Sequence, residues 1–65
     1  MIEFKAKDIA VGDEFTVDEG KTWWAAVKIE PAERNKILIK KMMIRGGPVF
    51  MEDEIFEPNE LVIVR

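Results

Sequence analysis

Short apolar segments, separated about every 8 to 12 positions by turn-forming residues, run through the 65-residue sequence. No window of about 11 residues has the roughly 3.6-residue spacing of apolar positions that an amphipathic helix needs. Short strands joined by frequent turns are typical of all-β domains. We therefore predict one domain, residues 1–65, folded as a strongly bent antiparallel barrel of five or six strands. A sheet that folds on itself protects its own edges.

The longest candidate strand lies at residues 36–45, where β-branched and apolar residues are most dense. Ile37 and Ile39 project to one face of an extended strand, because successive side chains alternate between the two faces. The doubled Lys40-Lys41 interrupts this alternation. We predict a β-bulge at these two lysines, since one extra residue restores a consistent face and bends the strand as a small barrel requires.

A second strand is predicted at residues 23–30, and Pro31 ends it because proline has no N–H to donate. In a regular strand, one face of this segment is entirely apolar. We predict that this face is buried, and its residues are Trp23, Ala25, Val27 and Ile29. The opposite face then carries Trp24 and Lys28 outward.

Four shorter strands and one helical turn complete the prediction. The strands are at residues 2–5, 14–17, 49–51 and 61–64, and the helical turn is at residues 52–57, before the last strand.

This order of elements resembles that of the SH3-like small barrels, including their KOW-type and Sm-type relatives. The resemblance rests on residues 8–15 (DIAVGDEF) leading into a strand, on the strand with two tryptophans, and on the helical turn before the last strand. The sequence is also similar to small barrel proteins carried by bacteria and their phages. The resemblance implies a fold and transfers no functional residue, because one fold serves many functions.

The residue inventory restricts the available chemistry. Histidine, cysteine, serine, tyrosine and glutamine do not occur, so a hydrolase triad is excluded and no imidazole can transfer protons near neutral pH. The remaining acid–base candidates are neighbouring carboxylates, Asp13 with Glu14 and those of residues 52–54. Without cysteine, disulfides and zinc–thiolate sites are excluded as well. We predict that the protein is not an enzyme and uses no cofactor and no metal.

The sequence also predicts a location. No apolar run approaches the roughly 20 residues that span a bilayer. The segment 1–5 lacks the basic and apolar regions of a signal peptide. These two absences predict a cytoplasmic protein.

Charge is distributed in blocks along the chain. Residues 1–20 carry a formal charge of −4, residues 21–51 carry +5 and residues 52–65 carry −4, for a net charge of −3. The two central strands therefore form a basic element in an acidic protein. We predict that the outward face of these strands binds a partner. Its residues are one aromatic, four lysines and one methionine: Trp24, Lys28, Lys36, Lys40, Lys41 and Met43.

Two functions fit this surface. The first is protein binding, including self-association, because aromatic residues dominate interface energetics and exposed edge strands find partners. The alternative is binding of RNA or single-stranded DNA, in which Trp24 stacks on bases and the lysines contact phosphates. A structural role also remains open, in which the lysines pair with acidic residues of neighbouring strands, such as Glu14, Asp18 or Glu52. The acidic ends of the chain are a further candidate surface, for a basic partner.

Overall fold

Six strands form one antiparallel sheet in the computed structural model, which describes residues 1–65. The strands are β1 (Ile2–Lys5), β2 (Glu14–Thr16), β3 (Trp24–Pro31), β4 (Ile37–Met43), β5 (Met51–Phe56) and β6 (Leu61–Val64). The helical segments are two short 3-10 turns, Ala6–Asp8 and Glu33–Asn35. The all-β prediction is confirmed. Neither helical turn has the length or the apolar character that a membrane crossing requires.

The sheet is strongly bent. Its strand order is β1-β6-β2-β3-β4-β5, so β1 and β5 are the two edge strands. Phe15 of β2 and Phe56 of β5 are separated by two strands in this order, yet their ring centroids lie 6.2 Å apart in an edge-to-face arrangement. In a flat sheet, three strand spacings would separate them by roughly 14 Å. The sheet therefore curls around one core, which is compatible with a small barrel-like fold.

The core is small and entirely apolar except for two residues. Its buried hydrophobic residues are Ala6, Ile9, Phe15, Trp24, Ala26, Ile39, Phe56, Val62 and Val64. Thr16 and Lys41 are the buried polar residues. A core of this size leaves little reserve of stability, because a chain of about 60 residues buries only about 60% of its unfolded surface.

Strand β3 contains the β-bulge. Its register against β4 shifts between Ala26 and Lys28, which leaves Val27 as the extra residue. Before the bulge, Trp24 and Ala26 face the core; after it, Ile29 packs against the core. The bulge therefore changes which positions of the strand point inward.

The predicted buried face of β3 is wrong in its first part. Trp24 is 6% exposed, whereas Trp23 and Ala25 are partly exposed and Val27 is exposed. Only Ile29 of the predicted set packs against the core. The prediction fails because it assumes one regular strand, and a single extra residue exchanges the two faces.

Strand β4 is regular through both lysines, so the bulge predicted at Lys40-Lys41 is wrong. Its pairing with β5 continues without interruption from Ile37 to Met42. Regular alternation places Ile39, Lys41 and Met43 on the inner face and Lys40 on the outer face. Lys41 is only 2% exposed. β4 thus stays regular, and Lys41 is buried on the inner face of the sheet.

Residues 52–57 do not form the predicted helical turn. Residues 51–56 are strand β5, which pairs with β4 along its whole length. This pairing gives the backbone N–H and C=O groups of β5 partners that a single helical turn would leave unpaired. The inward side chains are Glu52, Glu54 and Phe56, and the outward ones are Met51, Asp53 and Ile55.

Candidate functional site

Lys41 carries a charge on the inner face of the sheet. Its ammonium group forms an ion pair with Glu54 and lies 3.4 Å from Oε1 of Glu52. It also lies 4.1 Å from the centroid of the Trp24 ring, a distance suited to a cation–π interaction. A buried ammonium group needs such partners, because desolvation strongly disfavours an isolated charge. Trp24 and Lys41 therefore belong to one inward-facing cluster.

The neighbouring carboxylates considered as acid–base candidates have separate roles. Asp13 accepts a hydrogen bond from the backbone N–H of Ala10 through Oδ2, at 2.9 Å. Glu14 is ion-paired with Arg65 at 2.9 Å. Within residues 52–54, the side chains alternate between the two faces of β5, so the two glutamates share Lys41 while the aspartate points outward. No group of three or more acidic side chains is placed to hold a metal ion.

The six residues of the predicted binding surface divide into an inner and an outer set. Trp24 and Lys41 are buried and Met43 packs against the core, so the outward orientation predicted for these three is wrong. The bulge in β3 and the regularity of β4 are the physical reasons. The outward methionine of β4 is instead Met42.

The other three lysines lie toward the outer face. Lys28 and Lys40 are cross-strand neighbours on β3 and β4. Lys36 directly precedes β4. Two of these lysines are paired with glutamates on the surface: Lys28 with Glu30 at 3.6 Å, and Lys36 with Glu57 at 3.3 Å. Such exposed pairs contribute only about 0 to 1 kcal/mol each.

The sequence also allowed a structural role in which lysines pair with acidic residues of neighbouring strands. This pairing is confirmed for one of the three acidic residues considered. Glu52 pairs with Lys41 across β4 and β5. Glu14 pairs with Arg65 instead of with a lysine. Asp18 accepts hydrogen bonds from Thr16 and Thr22 within its own loop and pairs with no lysine.

An apolar surface that the sequence analysis missed lies on the outer side of β4 and β5. The cross-strand pairs Leu38–Ile55 and Met42–Met51 flank the pair Lys40–Asp53. We call these six residues the outer β4–β5 face. Ile55 is 56% exposed and Met51 is 46% exposed.

The sequence analysis missed Ile55 because it predicts a helical turn at residues 52–57. It missed Met51 as part of this face because it ends the predicted strand at residue 51, where β5 begins. The signal that identifies them is the alternation of residues 51–56, in which Met51, Asp53 and Ile55 occupy one face of an extended strand. The acidic run in the middle of this segment obscures the apolar alternation.

A groove adjoins one end of the outer β4–β5 face. Its volume is about 670 Å³, and it lies between residues 31–34 of the β3–β4 turn and the pair Leu38–Ile55, with Lys36 beside it. The groove therefore extends the exposed apolar surface into a concave site, the shape that binding surfaces commonly have.

The turn that forms one wall of the groove has a strained backbone. Arg34 has φ 59° and ψ 38°, and Asn35 has φ 62°. This left-handed region costs about 1 to 2 kcal/mol for most residues, and asparagine tolerates it better than arginine. Arg34 is exposed and forms no ion pair within the chain. The turn thus presents a free guanidinium group at the rim of the groove.

The loop between β2 and β3 is ordered by Thr16 and Asp18. The Thr22 N–H and the Thr16 hydroxyl both donate to Asp18 Oδ1, at 2.9 and 2.8 Å. The Gly20 N–H donates to the Thr16 hydroxyl oxygen at 3.0 Å. The hydrogen bond from Thr22, followed by that from Thr16, lowers the pKa of Asp18 below its ordinary value of 3.8, because both stabilise the ionised carboxylate.

We expect Asp18→Asn to lower the free energy of unfolding at neutral pH and to weaken its dependence on acid pH. The folded-state pKa lies below 3.8, so the folded protein binds fewer protons than the unfolded chain. The contribution of Asp18 is therefore fully present above the unfolded pKa and is lost as the pH falls through the folded pKa. Urea unfolding of both proteins between about pH 2 and pH 7 measures this difference. A difference that stays constant over this range would contradict the prediction.

Fold and site together define the protein as a small all-β domain with an exposed apolar surface on β5. Comparison of the chain with protein-family models, with curated proteins and with solved structures found no match. What this domain does must therefore follow from its own residues and their geometry.

Proposed function

We propose that the protein is a non-enzymatic interaction module that binds another protein through the outer β4–β5 face and the adjoining groove. The observation that carries the proposal is the exposure of two apolar side chains, Ile55 and Met51, on the edge strand β5. Each lies opposite a half-buried apolar residue of β4, Leu38 or Met42. Exposed apolar residues with charged residues between them are typical of protein-binding surfaces. The central pair, Lys40 opposite Asp53, adds no net charge to the face.

The groove suggests the chemistry of the partner. Leu38 and Ile55 offer an apolar contact, and the unpaired guanidinium of Arg34 stands at the rim. Lys36, by contrast, is already paired with Glu57. A partner segment with an apolar side chain next to a carboxylate would satisfy both features, because arginine forms strong hydrogen bonds with carboxylates. We therefore propose an apolar–acidic peptide segment as the ligand.

We also propose a fold family and a cellular location for the protein. The bent six-stranded sheet is compatible with an SH3-like barrel with KOW-type or Sm-type relatives, of the kind carried by bacteria and phages. A cytoplasmic location is supported by the absence of cysteine from the sequence.

Nucleic-acid binding stays a prediction from the sequence. It depends on Trp24 for base stacking, and Trp24 is buried beneath Lys41. Of the four lysines expected to contact phosphate, Lys41 is buried and two others are paired with glutamates. The geometry therefore favours the protein-binding candidate.

Selection of peptides from a displayed random library tests the proposed partner chemistry directly. We expect enrichment of peptides in which an apolar residue is adjacent to an aspartate or glutamate. Ile55→Lys should weaken binding of a selected peptide by about tenfold or more, because it places a charge in the apolar contact. Val11→Lys is the matched control, since Val11 is also exposed but lies in the loop before β2.

The proposal would be contradicted by a library that yields no enriched motif, or by selected peptides that bind wild type and Ile55→Lys equally. Fluorescence anisotropy with short oligonucleotides over a salt series belongs to the same experiment. Salt-dependent oligonucleotide binding without peptide binding would favour the nucleic-acid alternative.

Arg34→Gly separates function from stability in the same assay. Glycine adopts the left-handed conformation at little cost, so this variant is expected to be at least as stable as the wild type. It should nevertheless bind acidic peptides more weakly, because the guanidinium group is gone. A loss of stability together with a loss of binding would indicate that Arg34 serves the fold and not the partner.

A further inference from the structure

Strand β1 is the second edge of the sheet, and it pairs with β6 alone. The β1–β6 register continues to Ala6, whose N–H donates to the Glu60 carbonyl oxygen at 2.8 Å. Hydrogen-bonded and non-hydrogen-bonded positions alternate along an antiparallel pair. Phe4 therefore directs its backbone groups toward β6, as Ala6 directs its N–H. The N–H and C=O groups of Glu3 and Lys5 point away from the sheet.

We propose that these free groups pair with the same groups of a second copy of the chain, joining two sheets across their β1 edges. Antiparallel pairing about a two-fold axis at Phe4 places Glu3 of each copy opposite Lys5 of the other. Both are then hydrogen-bonded pairs, since the backbone groups that face outward belong to these two residues. This register therefore uses the free backbone groups and is compatible with two-fold symmetry.

The side chains of β1 support this register. Residues directly opposite each other share a face of the sheet. Glu3 and Lys5 of the two copies therefore form two pairs of opposite charge on the outer face. On the inner side, Phe4 meets Phe4 of the second copy. Ile2, which is 63% exposed in the single chain, lies beside this contact and loses solvent exposure.

The other edge of the sheet is unsuited to self-pairing. The Met43 N–H donates to the Phe50 carbonyl oxygen at 2.9 Å, so the same alternation leaves the backbone groups of Asp53 free on the β5 edge. Pairing of two β5 strands about Asp53 would place this aspartate opposite itself. It would also place Glu52 of one copy opposite Glu54 of the other. Like charges directly opposite are destabilising, and charged residues commonly protect edges in this way.

A charge exchange tests the β1 pairing. Lys5→Glu alone and Glu3→Lys alone should each weaken self-association by about tenfold or more, because both cross-edge pairs become like-charged. Mixing the two variants in equal amounts should restore association, because each position 3 then faces the opposite charge at position 5 of the other variant. Sedimentation equilibrium over a concentration series measures all three samples and the wild type.

Two further variants make the experiment specific. Lys21→Glu changes the same charge on an exposed loop residue and should leave the dimer unchanged. Glu3→Pro should abolish it while β1 stays paired with β6, because the N–H that proline removes faces outward. A wild type that is monomeric at every concentration, or a mixture that fails to associate, would overturn the proposal. β1 and β5 are the two edge strands of the sheet. Dimer formation through β1 and peptide binding at the outer β4–β5 face can therefore be tested separately, and failure of one proposal leaves the other intact.

Discussion

Lys41→Ala is expected to lower the free energy of unfolding by about 3 kcal/mol, the low end of the range for a broken buried ion pair. The substitution removes the charge that neutralises two inward carboxylates, and it removes a side chain that covers the Trp24 ring. The low end applies because the side chains of Glu54 and Glu52 remain 32% and 49% exposed. Water can therefore solvate them in part once the lysine is gone.

Urea unfolding followed by circular dichroism measures this loss, and Lys40→Ala is its matched control. Lys40 is the adjacent lysine on the same strand but faces outward, so its replacement should change stability by no more than about 0.5 kcal/mol. Lys41→Met combined with Glu54→Gln should recover most of the loss, because an uncharged pair of similar volume avoids an unpaired buried charge. Equal effects of Lys41→Ala and Lys40→Ala would contradict the inward position of Lys41.

The sequence predicts the class of fold because the class depends on local signals. Turn residues and alternation mark most of the strands, and Ile39 falls in the core as its place in the alternation predicts. Pro31 marks the end of β3 for the reason given from the sequence, since its ring removes a backbone donor. Signals of this kind act within a few residues, so they can be recognised without knowledge of the tertiary structure.

The inner and outer faces of β3 and β4 could not be predicted in the same way. A doubled lysine in β4 allows two solutions, a bulge that turns both lysines outward or a regular strand that buries one. The regular solution becomes possible only because Glu54 and Trp24, from two other strands, reach Lys41. The bulge then falls at Val27 on the neighbouring strand. Such cross-strand compensation leaves no mark in the alternation of β4 itself.

The candidate site was only partly predictable for the same reason. Lys28 and Lys40 lie on the outer face, but the two exposed apolar residues of that face, Ile55 and Met51, come from β5, whose acidic run conceals its strand character. The left-handed backbone of Arg34 depends on how the turn closes between β3 and β4. A surface assembled from two strands and a turn is defined by register, and register is a tertiary property.

Phe15→Ala is expected to cost about 3 to 5 kcal/mol, because the ring is fully buried and a cavity would remain. The whole domain of 65 residues has a stability of roughly 3 to 10 kcal/mol at about 0.05 to 0.15 kcal/mol per residue. The loss is therefore a large fraction of the total stability, and the variant should unfold at a much lower urea concentration than the wild type. Urea unfolding followed by tryptophan fluorescence measures the loss. Phe50→Ala is the matched control, and it should cost less than half as much because Phe50 is 40% exposed.

A double-mutant cycle of Phe15→Leu and Phe56→Leu tests the bend of the sheet itself. These two rings come from strands that are three positions apart in the sheet, and they meet edge to face only if the sheet curls. Leucine keeps most of the buried volume, so the variants should stay folded and the coupling energy can be measured. We expect a coupling of about 0.5 to 1.5 kcal/mol. A coupling near zero would mean that β2 and β5 do not face each other across one core, because rings that do not touch respond independently to substitution.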